Sequence, residues 1–282
     1  MNYISQKEKA VRFRELHYTD KMLVLPNIWD ALGALLLESL AYPAIATASA
    51  SVAFSNGYDD GENIPFNDLL SLLKKITTSV NIPVTADIES GYAVNNIQLQ
   101  ENIKLLIGSG IAGINFEDTD NKTHNLRSIE SQCDKISLIR KVSGEMGIPL
   151  FINARTDVYL YGKNFTTAKE KFDEILKRGL GYKEAGADCF FPIGLKHEEE
   201  IKELIAHIKL PINILAIPGI PDLKILSELG VARVSFGSSL LRIAIRAIKD
   251  LAIQLKDYEG LSKITENEIT TDYLKALVNK NY

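Results

Sequence analysis

Three features of the 282-residue chain predict an α/β fold, a (β/α)8 TIM barrel with extra C-terminal helices. Short apolar runs recur eight times, nearly continuous rather than alternating, as parallel strands buried on both faces require. Amphipathic stretches with the helical apolar period lie between them. The length suits one α/β barrel, and no GxGxxG fingerprint opens the first helix as a doubly wound dinucleotide sheet would demand.

The predicted strands, in chain order, are LVLPN (23–27), AIATAS (44–49), PVTADI (83–88), GINFED (113–118), LFINARTD (150–157), CFFPIG (189–194), NILAI (213–217) and RVSFGS (233–238). The clearest helices run from Ala31 to Leu40, Phe66 to Thr77, Leu99 to Gly108, Gln132 to Ser143 and Ile201 to Ile208. Gly110, Gly186 and Gly230, in GSGIAGINF, KEAGADCFF and SELGVARVSF, are placed to end helices in the left-handed conformation before the next strand. The segment from Leu240 to Tyr282 is helical in pattern and longer than one barrel helix needs. The chain is therefore read as a single domain, 1–282, with about 240–282 as a C-terminal helical extension, part of which is expected to pack on a partner.

Composition narrows the function classes. With 46% hydrophobic and 24% charged residues the chain is an ordinary globular sequence, neither disordered nor fibrous. A net charge of -4 and the lack of any Lys/Arg block argue against a nucleic-acid partner or an anionic membrane surface. No apolar run approaches the roughly 18 residues of a membrane span, and the N-terminus MNYISQKEKAVRFRELH lacks a secretory apolar core. Cys133 and Cys189 fall in no CxxC or Cys/His pattern, so a zinc site and a disulfide framework have no support. Both read as small buried hydrophobes in a reduced, cytoplasmic setting.

In a (β/α)8 barrel chemistry sits where the strands end. Here those ends are acidic: Asp87 and Glu89 after the third strand, Glu117 and Asp118 after the fourth, Asn153, Arg155 and Asp157 on the fifth. The loop after the second strand adds Asp59, Asp60 and Glu62. Carboxylates crowded in a partly dry site raise one another's proton affinity, so the cluster is expected to hold a cation or share protons. Oxygen-only ligands favour Mg2+ or Mn2+ over zinc. Arg155 is the counter-charge, either gripping an anionic substrate or ion-paired with Asp157 or Glu117.

At these residues the sequence resembles the isocitrate lyase and phosphoenolpyruvate mutase superfamily. The matching pieces are LPNIWDALGALLLE, AIATASASVAFSNGYDDGE, TADIESGYA, GINFED, PLFINARTDVYL and EAGADCFFPIGL, spanning roughly residues 22–245. The resemblance implies a barrel whose last helix is exchanged between subunits, homodimers that pair into homotetramers, and Mg2+ beside a small 2-oxo acid or its enolate. By motif, Asp87 would be the direct metal ligand, Glu89 and Glu117 would hold metal-bound waters, and Asp60 would lie near those waters. Thr47, Ala48 and Ser49 match the segment that receives the substrate carboxylate; Arg155, with Asn153 beside it, matches the arginine on the substrate's oxo and leaving groups.

Departures from the pattern guide the choice of reaction. The superfamily's isocitrate and methylisocitrate lyases carry a KRCGH-like motif after the fourth strand, where this chain reads EDTDNKTHNLRS without a Cys. That argues against either activity. The loop from Thr119 to Arg127 resembles in length the gate of phosphonate-processing members, with Asn125 at the matching Asn and Lys122 and His124 beside it. His124 is a candidate proton carrier because only His titrates near neutrality unperturbed. His17, His197 and His207 are given no role. The expected activity is a Mg2+-dependent lyase cleaving a carbon-carbon bond of a small 2-oxo or 2-hydroxy dicarboxylate, oxaloacetate or malate-like. Carbon-phosphorus chemistry, as a phosphoenolpyruvate mutase or phosphonopyruvate hydrolase, and a non-catalytic 2-oxo acid sensor are the alternatives. Substrate choice is expected to depend on the gate and on Trp29, Phe54 and Tyr159.

Overall fold

The computed structural model describes residues 4–120 and 123–280. Lys122 in the gate segment lies outside them. Among the described residues, eight parallel strands form a closed circuit. The first strand, Leu23–Leu25, pairs with the eighth, Arg233–Ser235, which pairs with the seventh, Asn213–Leu215. A bridge from Ile212 to Phe190 leads to the sixth strand, Cys189–Pro192, followed by the fifth, Phe151–Thr156, and the fourth, Gly113–Glu117. The third, Val84–Asp87, and the second, Ile45–Thr47, complete the ring by pairing onto Asn27–Ile28. Pro26 separates Asn27–Ile28 from Leu23–Leu25, since proline has no N–H to give to a ladder.

All eight predicted strands are therefore present, and all but the first end before their apolar run does because the run continues into the loop at the barrel mouth. The first helix, Ala31–Ser39, ends one residue before its predicted span, and the others, Phe66–Ser79, Asn96–Gly108, Ile129–Glu145 and Glu198–Ile208, extend slightly beyond theirs. Their starts are fixed by caps invisible to the apolar period, such as Asn95 accepting from Gln98 N–H and Ser128 from Ser131 N–H. Gly110, Gly186 and Gly230 have φ of 93°, 102° and 87°, the left-handed region where a side chain would be strained.

The floor of the barrel is closed by the helix Gln6–Glu15, which starts at a Ser5/Glu8 capping box. Phe13 inserts among Leu23, Leu25, Ala44, Ala46, Ala112, Phe151 and Cys189, all buried. This close approach requires Gly113, where a Cβ would stand 2.9 Å from the Phe151 carbonyl and 3.0 Å from the Phe13 ring. His17 stacks on Phe151 at 4.1 Å. Asp188 anchors the same end through Arg14 at 2.6 Å and Arg140 at 2.5 Å. Cys189 is fully buried and its thiol is pushed up to about 12 by that burial, while Cys133 lies half-buried on a helix.

The C-terminal extension consists of Ser239–Lys256, Ser262–Thr265 and Thr271–Asn279. The last of these returns to the barrel, burying Leu277 among residues that include Leu35 and Ile76. Ser239–Lys256 buries only Leu241, whereas Ile243 is 69% and Ile248 64% exposed. No helix among the described residues is long and apolar enough to cross a membrane.

Candidate active site

The acidic strand ends converge at the barrel mouth. A cavity of about 140 Å3 is lined by Ser49, Asp60, Gly61, Glu89, Glu117, His124, Arg155, Asp157 and Tyr161. Asp87 closes the third strand beside it. Its Oδ2 accepts from the Ser49 N–H at 3.1 Å and the Ser49 hydroxyl at 3.0 Å, and its own N–H donates to Thr47 Oγ1 at 3.0 Å. Thr47 and Ser49 thus hold Asp87, with Ala48 between them at the start of the helix Ser49–Ser55. In this arrangement the Ser49 amide is engaged by a protein carboxylate.

Glu89 sits two residues on, buried, with φ of 50°. Both its carboxylate oxygens lie 2.9 Å from the Glu62 N–H, and Oε1 accepts from the Tyr92 hydroxyl at 3.2 Å. Glu62 reciprocates: its Oε1 accepts from the Ser90 N–H and hydroxyl at 3.1 and 2.8 Å and from the Tyr92 N–H at 2.8 Å. The loops after the second and third strands are thereby tied together. Burial, then the charges of Asp60 and Asp87, push the Glu89 carboxyl up to about 8. Asp60, on the solvent side of the mouth, is also raised, by crowding of protein atoms and by Asp87.

Arg155 spans two carboxylates. Its Nη1 lies 2.8 Å from Glu117 Oε2, its Nε donates to Asp157 Oδ1 at 2.6 Å and its Nη2 to Asp157 Oδ2 at 3.2 Å. Both ion pairs weighed from the sequence are present together. Burial opposes the Arg155 charge, and Asp157 and Glu117 outweigh it, so the guanidinium stays protonated. Burial raises Glu117 well above the carboxylate range; Arg155 opposes this, and Asp157, Asp87 and Glu89 add to it. Three of the five guanidinium donors are engaged, leaving two for a ligand.

The structure corrects several expectations. Asn153 does not line the cavity: it is fully buried one layer deeper, donating to Asn115 Oδ1 at 2.6 Å. Strand alternation says which way a side chain points but not how deep in the barrel it lies. Asn125 is exposed, paired with Asp120 in a small antiparallel hairpin, and is not part of the cavity wall. Asp118 is a buried structural acid held by Arg178 at 2.9 Å and the Tyr182 hydroxyl at 2.7 Å. Tyr159 turns away, its hydroxyl on Glu200 at 2.9 Å, and Phe54 faces the C-terminal helix beside Leu241 and Ile245. Of the gate residues, His124 reaches the cavity. Tyr161 is a wall residue that the sequence reading missed; the available signal was an aromatic side chain four residues past the Asp157 strand end.

The donor set suits a divalent cation held mainly through water. Burial first, and then the charges of neighbouring carboxylates, raise the proton affinity of Asp60, Glu89 and Glu117, and a cation would offset that repulsion. Among the described residues no group of three or more His, Cys, Asp or Glu side chains is disposed to grip an ion directly. A hard cation that keeps several waters, such as Mg2+, matches one direct carboxylate, Asp87, with the others reaching its waters.

A partly buried arginine thus faces an acidic cluster at the carboxyl end of a (β/α)8 barrel. Residues 13–256 match the family model described as phosphoenolpyruvate phosphomutase, and the chain belongs to that family, within the isocitrate lyase and phosphoenolpyruvate mutase superfamily. An uncharacterised Mycobacterium tuberculosis protein is 32% identical over 251 residues, 89% of this chain and 91% of that protein. The 2,3-dimethylmalate lyase of Eubacterium barkeri is 28% identical, covering 93% of this chain and 91% of its own. A crystal structure of a candidate phosphonomutase from Burkholderia cenocepacia J2315 superposes with a TM-score of 0.83 at 36% identity, over 88% of this chain and 100% of that one.

Proposed function

We propose that this protein is a Mg2+-dependent (or Mn2+-dependent) lyase that cleaves a carbon-carbon bond of a small 2-oxo or 2-hydroxy dicarboxylate, oxaloacetate or malate-like, through an enolate. The observation that carries the reading is Arg155 at the wall of a small cavity that four carboxylates, Asp60, Glu89, Glu117 and Asp157, also line. Arg155 would bind the substrate's oxo and carboxylate oxygens with its two remaining donors, oriented by Asp157. Asp87, fixed by Ser49 and Thr47, would hold the cation, and Glu89 and Glu117 its waters. The bound cation would stabilise the charge that develops on the oxo oxygen when the adjacent bond breaks. Glu89, pushed up to about 8 in the metal-free protein, is a wall group that would hold a proton near neutral pH, and His124 stands at the same wall.

An isocitrate or methylisocitrate lyase is disfavoured, because the loop after the fourth strand, Thr119 to Arg127, carries no Cys, and Cys133 and Cys189 sit on a helix and in the barrel core. The family match and the candidate phosphonomutase support a second reading, carbon-phosphorus chemistry on phosphonopyruvate. Proton and phosphorus NMR of the Mg2+-loaded protein with oxaloacetate, dimethylmalate and phosphonopyruvate separates the two. Carbon-carbon products that Asp87→Ala and Arg155→Ala fail to make would establish the first. Phosphate or phosphoenolpyruvate would replace it with the second, and tight binding without turnover would favour a sensor. Normal turnover by Asp87→Ala would reject the site assignment.

We also propose a homodimer or homotetramer in the cytoplasm, built by exchange of Ser239–Lys256, whose exposed isoleucines support the reading.

A further inference from the structure

We propose that Tyr161 determines the size of the acid admitted to the pocket, by forming an aromatic wall with His124. The inference rests on the reading of the acidic cavity as the substrate site. Tyr161 ends the short helix Val158–Tyr161, and its N–H donates to the Asp157 carbonyl at 2.8 Å, in the same turn that orients Arg155. His124 has φ of 53° and its N–H donates to the Asp120 carbonyl at 2.8 Å. The two rings stack with centroids 5.8 Å apart and planes at 26°. Both line the cavity with Ser49, Glu89 and Arg155.

The wall adds a ring contact between the hairpin after the fourth strand and the turn after the fifth, which are also tied at their base by the Thr119 hydroxyl donating to Asp157 Oδ2 at 2.7 Å. Its consequence is a bounded space. The cavity is small, about 140 Å3, which suits a compact acid of a few carbons and not a branched tricarboxylate. Glu117 and Asp157 are held by Arg155, and Glu89 by the Glu62 N–H, so a ring is the part of the wall whose removal enlarges the pocket while these ties stay in place. Tyr159, on the same short helix, bonds to Glu200 and leaves Tyr161 as that helix's contribution to the wall. The ring face is the operative feature, so phenylalanine would replace tyrosine.

The test uses the full chain with Mg2+ and two probes: oxalate, a planar dianion resembling an enolate, and tricarballylate, a bulkier tricarboxylate. Calorimetry would compare wild type, Tyr161→Phe and Tyr161→Ala. Wild type and Tyr161→Phe should bind oxalate and exclude tricarballylate, whereas Tyr161→Ala should shift the affinity ratio at least tenfold towards tricarballylate. In the ligand-free proteins, the His124 ring protons, identified by their loss in His124→Asn, should move downfield in Tyr161→Ala as the ring current is lost, with the rest of the spectrum retained. An unchanged ratio in folded Tyr161→Ala overturns the wall and leaves the site reading standing. Equal relaxation in Tyr161→Phe overturns the stacking basis. Wild type that binds neither probe overturns the site reading and, with it, this inference.

Discussion

Glu89 occupies a backbone conformation that non-glycine residues rarely adopt, as do Glu62, Tyr92 and His124, with φ of 60°, 54° and 53°. Each such residue costs on the order of 1–3 kcal/mol and persists only where its surroundings over-determine it. For Glu62, Glu89 and Tyr92 the reciprocal hydrogen bonds between their two segments supply that determination. The same burial sets a pH dependence. Glu89 binds its proton up to about pH 8 in the folded protein, against 4.5 ordinarily, so between these values the folded state holds a proton that the unfolded state has released. Stability of the metal-free protein should therefore fall as pH rises across that window, and Glu117, also raised, acts in the same direction. Melting temperatures from pH 5 to 8.5 would show it. Glu89→Gln should flatten the slope and an unaltered slope would remove Glu89 as its source.

At this scale the sequence was a good guide to charge and a poor one to depth. Asp87, Glu89, Glu117 and Arg155 were legible because each stands where an apolar run stops, and those stops share one rim. Asn153 was misplaced as a ligand because it shares a strand with Arg155 yet lies two residues deeper, where its partner is Asn115. Tyr161 was passed over because nothing local distinguishes it from Tyr159, which points the other way.

Among the elements, the helix Ser239–Lys256 is the one whose sequence and surroundings disagree. Its apolar residues have the spacing of a buried stripe, yet Ile243, Ile245 and Ile248 are exposed in the single chain. Contiguous apolar exposure of this kind marks an association surface. The double substitution Ile245→Glu with Ile248→Glu should reduce the mass measured by light scattering to that of one chain while preserving helical circular dichroism. An undiminished oligomer would place the subunit contact elsewhere. The barrel elements themselves followed from periodicity, and their exact ends did not, because caps such as Asn95 and Ser128 are side-chain events outside the apolar pattern.

Over the whole molecule the barrel divides into an apolar floor and a charged mouth. His17 is a buried polar residue at the floor, 4% exposed, its Nδ1 bonded to the Phe13 carbonyl at 2.8 Å and its Nε2 buried with no hydrogen-bond partner. Burial, reinforced by the charge of Arg233, pushes its pKa down to about 3 from 6.5. The unfolded chain gains a proton below pH 6.5 that the folded chain refuses, so stability is lost as pH falls from 6.5 towards 3. At pH 5 the loss from this group is about 2 kcal/mol. His17→Phe should remove that share of the acid destabilisation, read as a smaller difference in urea midpoint between pH 7.5 and pH 5. Equal differences in both proteins would show that His17 is not the acid-sensitive group.

Fold class, strand order and the acidic rim were determined by the sequence alone, because strand burial, helix period and the chemistry of strand ends are local properties written along the chain. Packing decided the rest. The Glu117–Arg155–Asp157 bridge, the Glu62 strap, the depth of Asn153 and the stack of His124 on Tyr161 join residues from different loops. Such contacts depend on the distance between side chains when the ring closes, a quantity that no local pattern encodes.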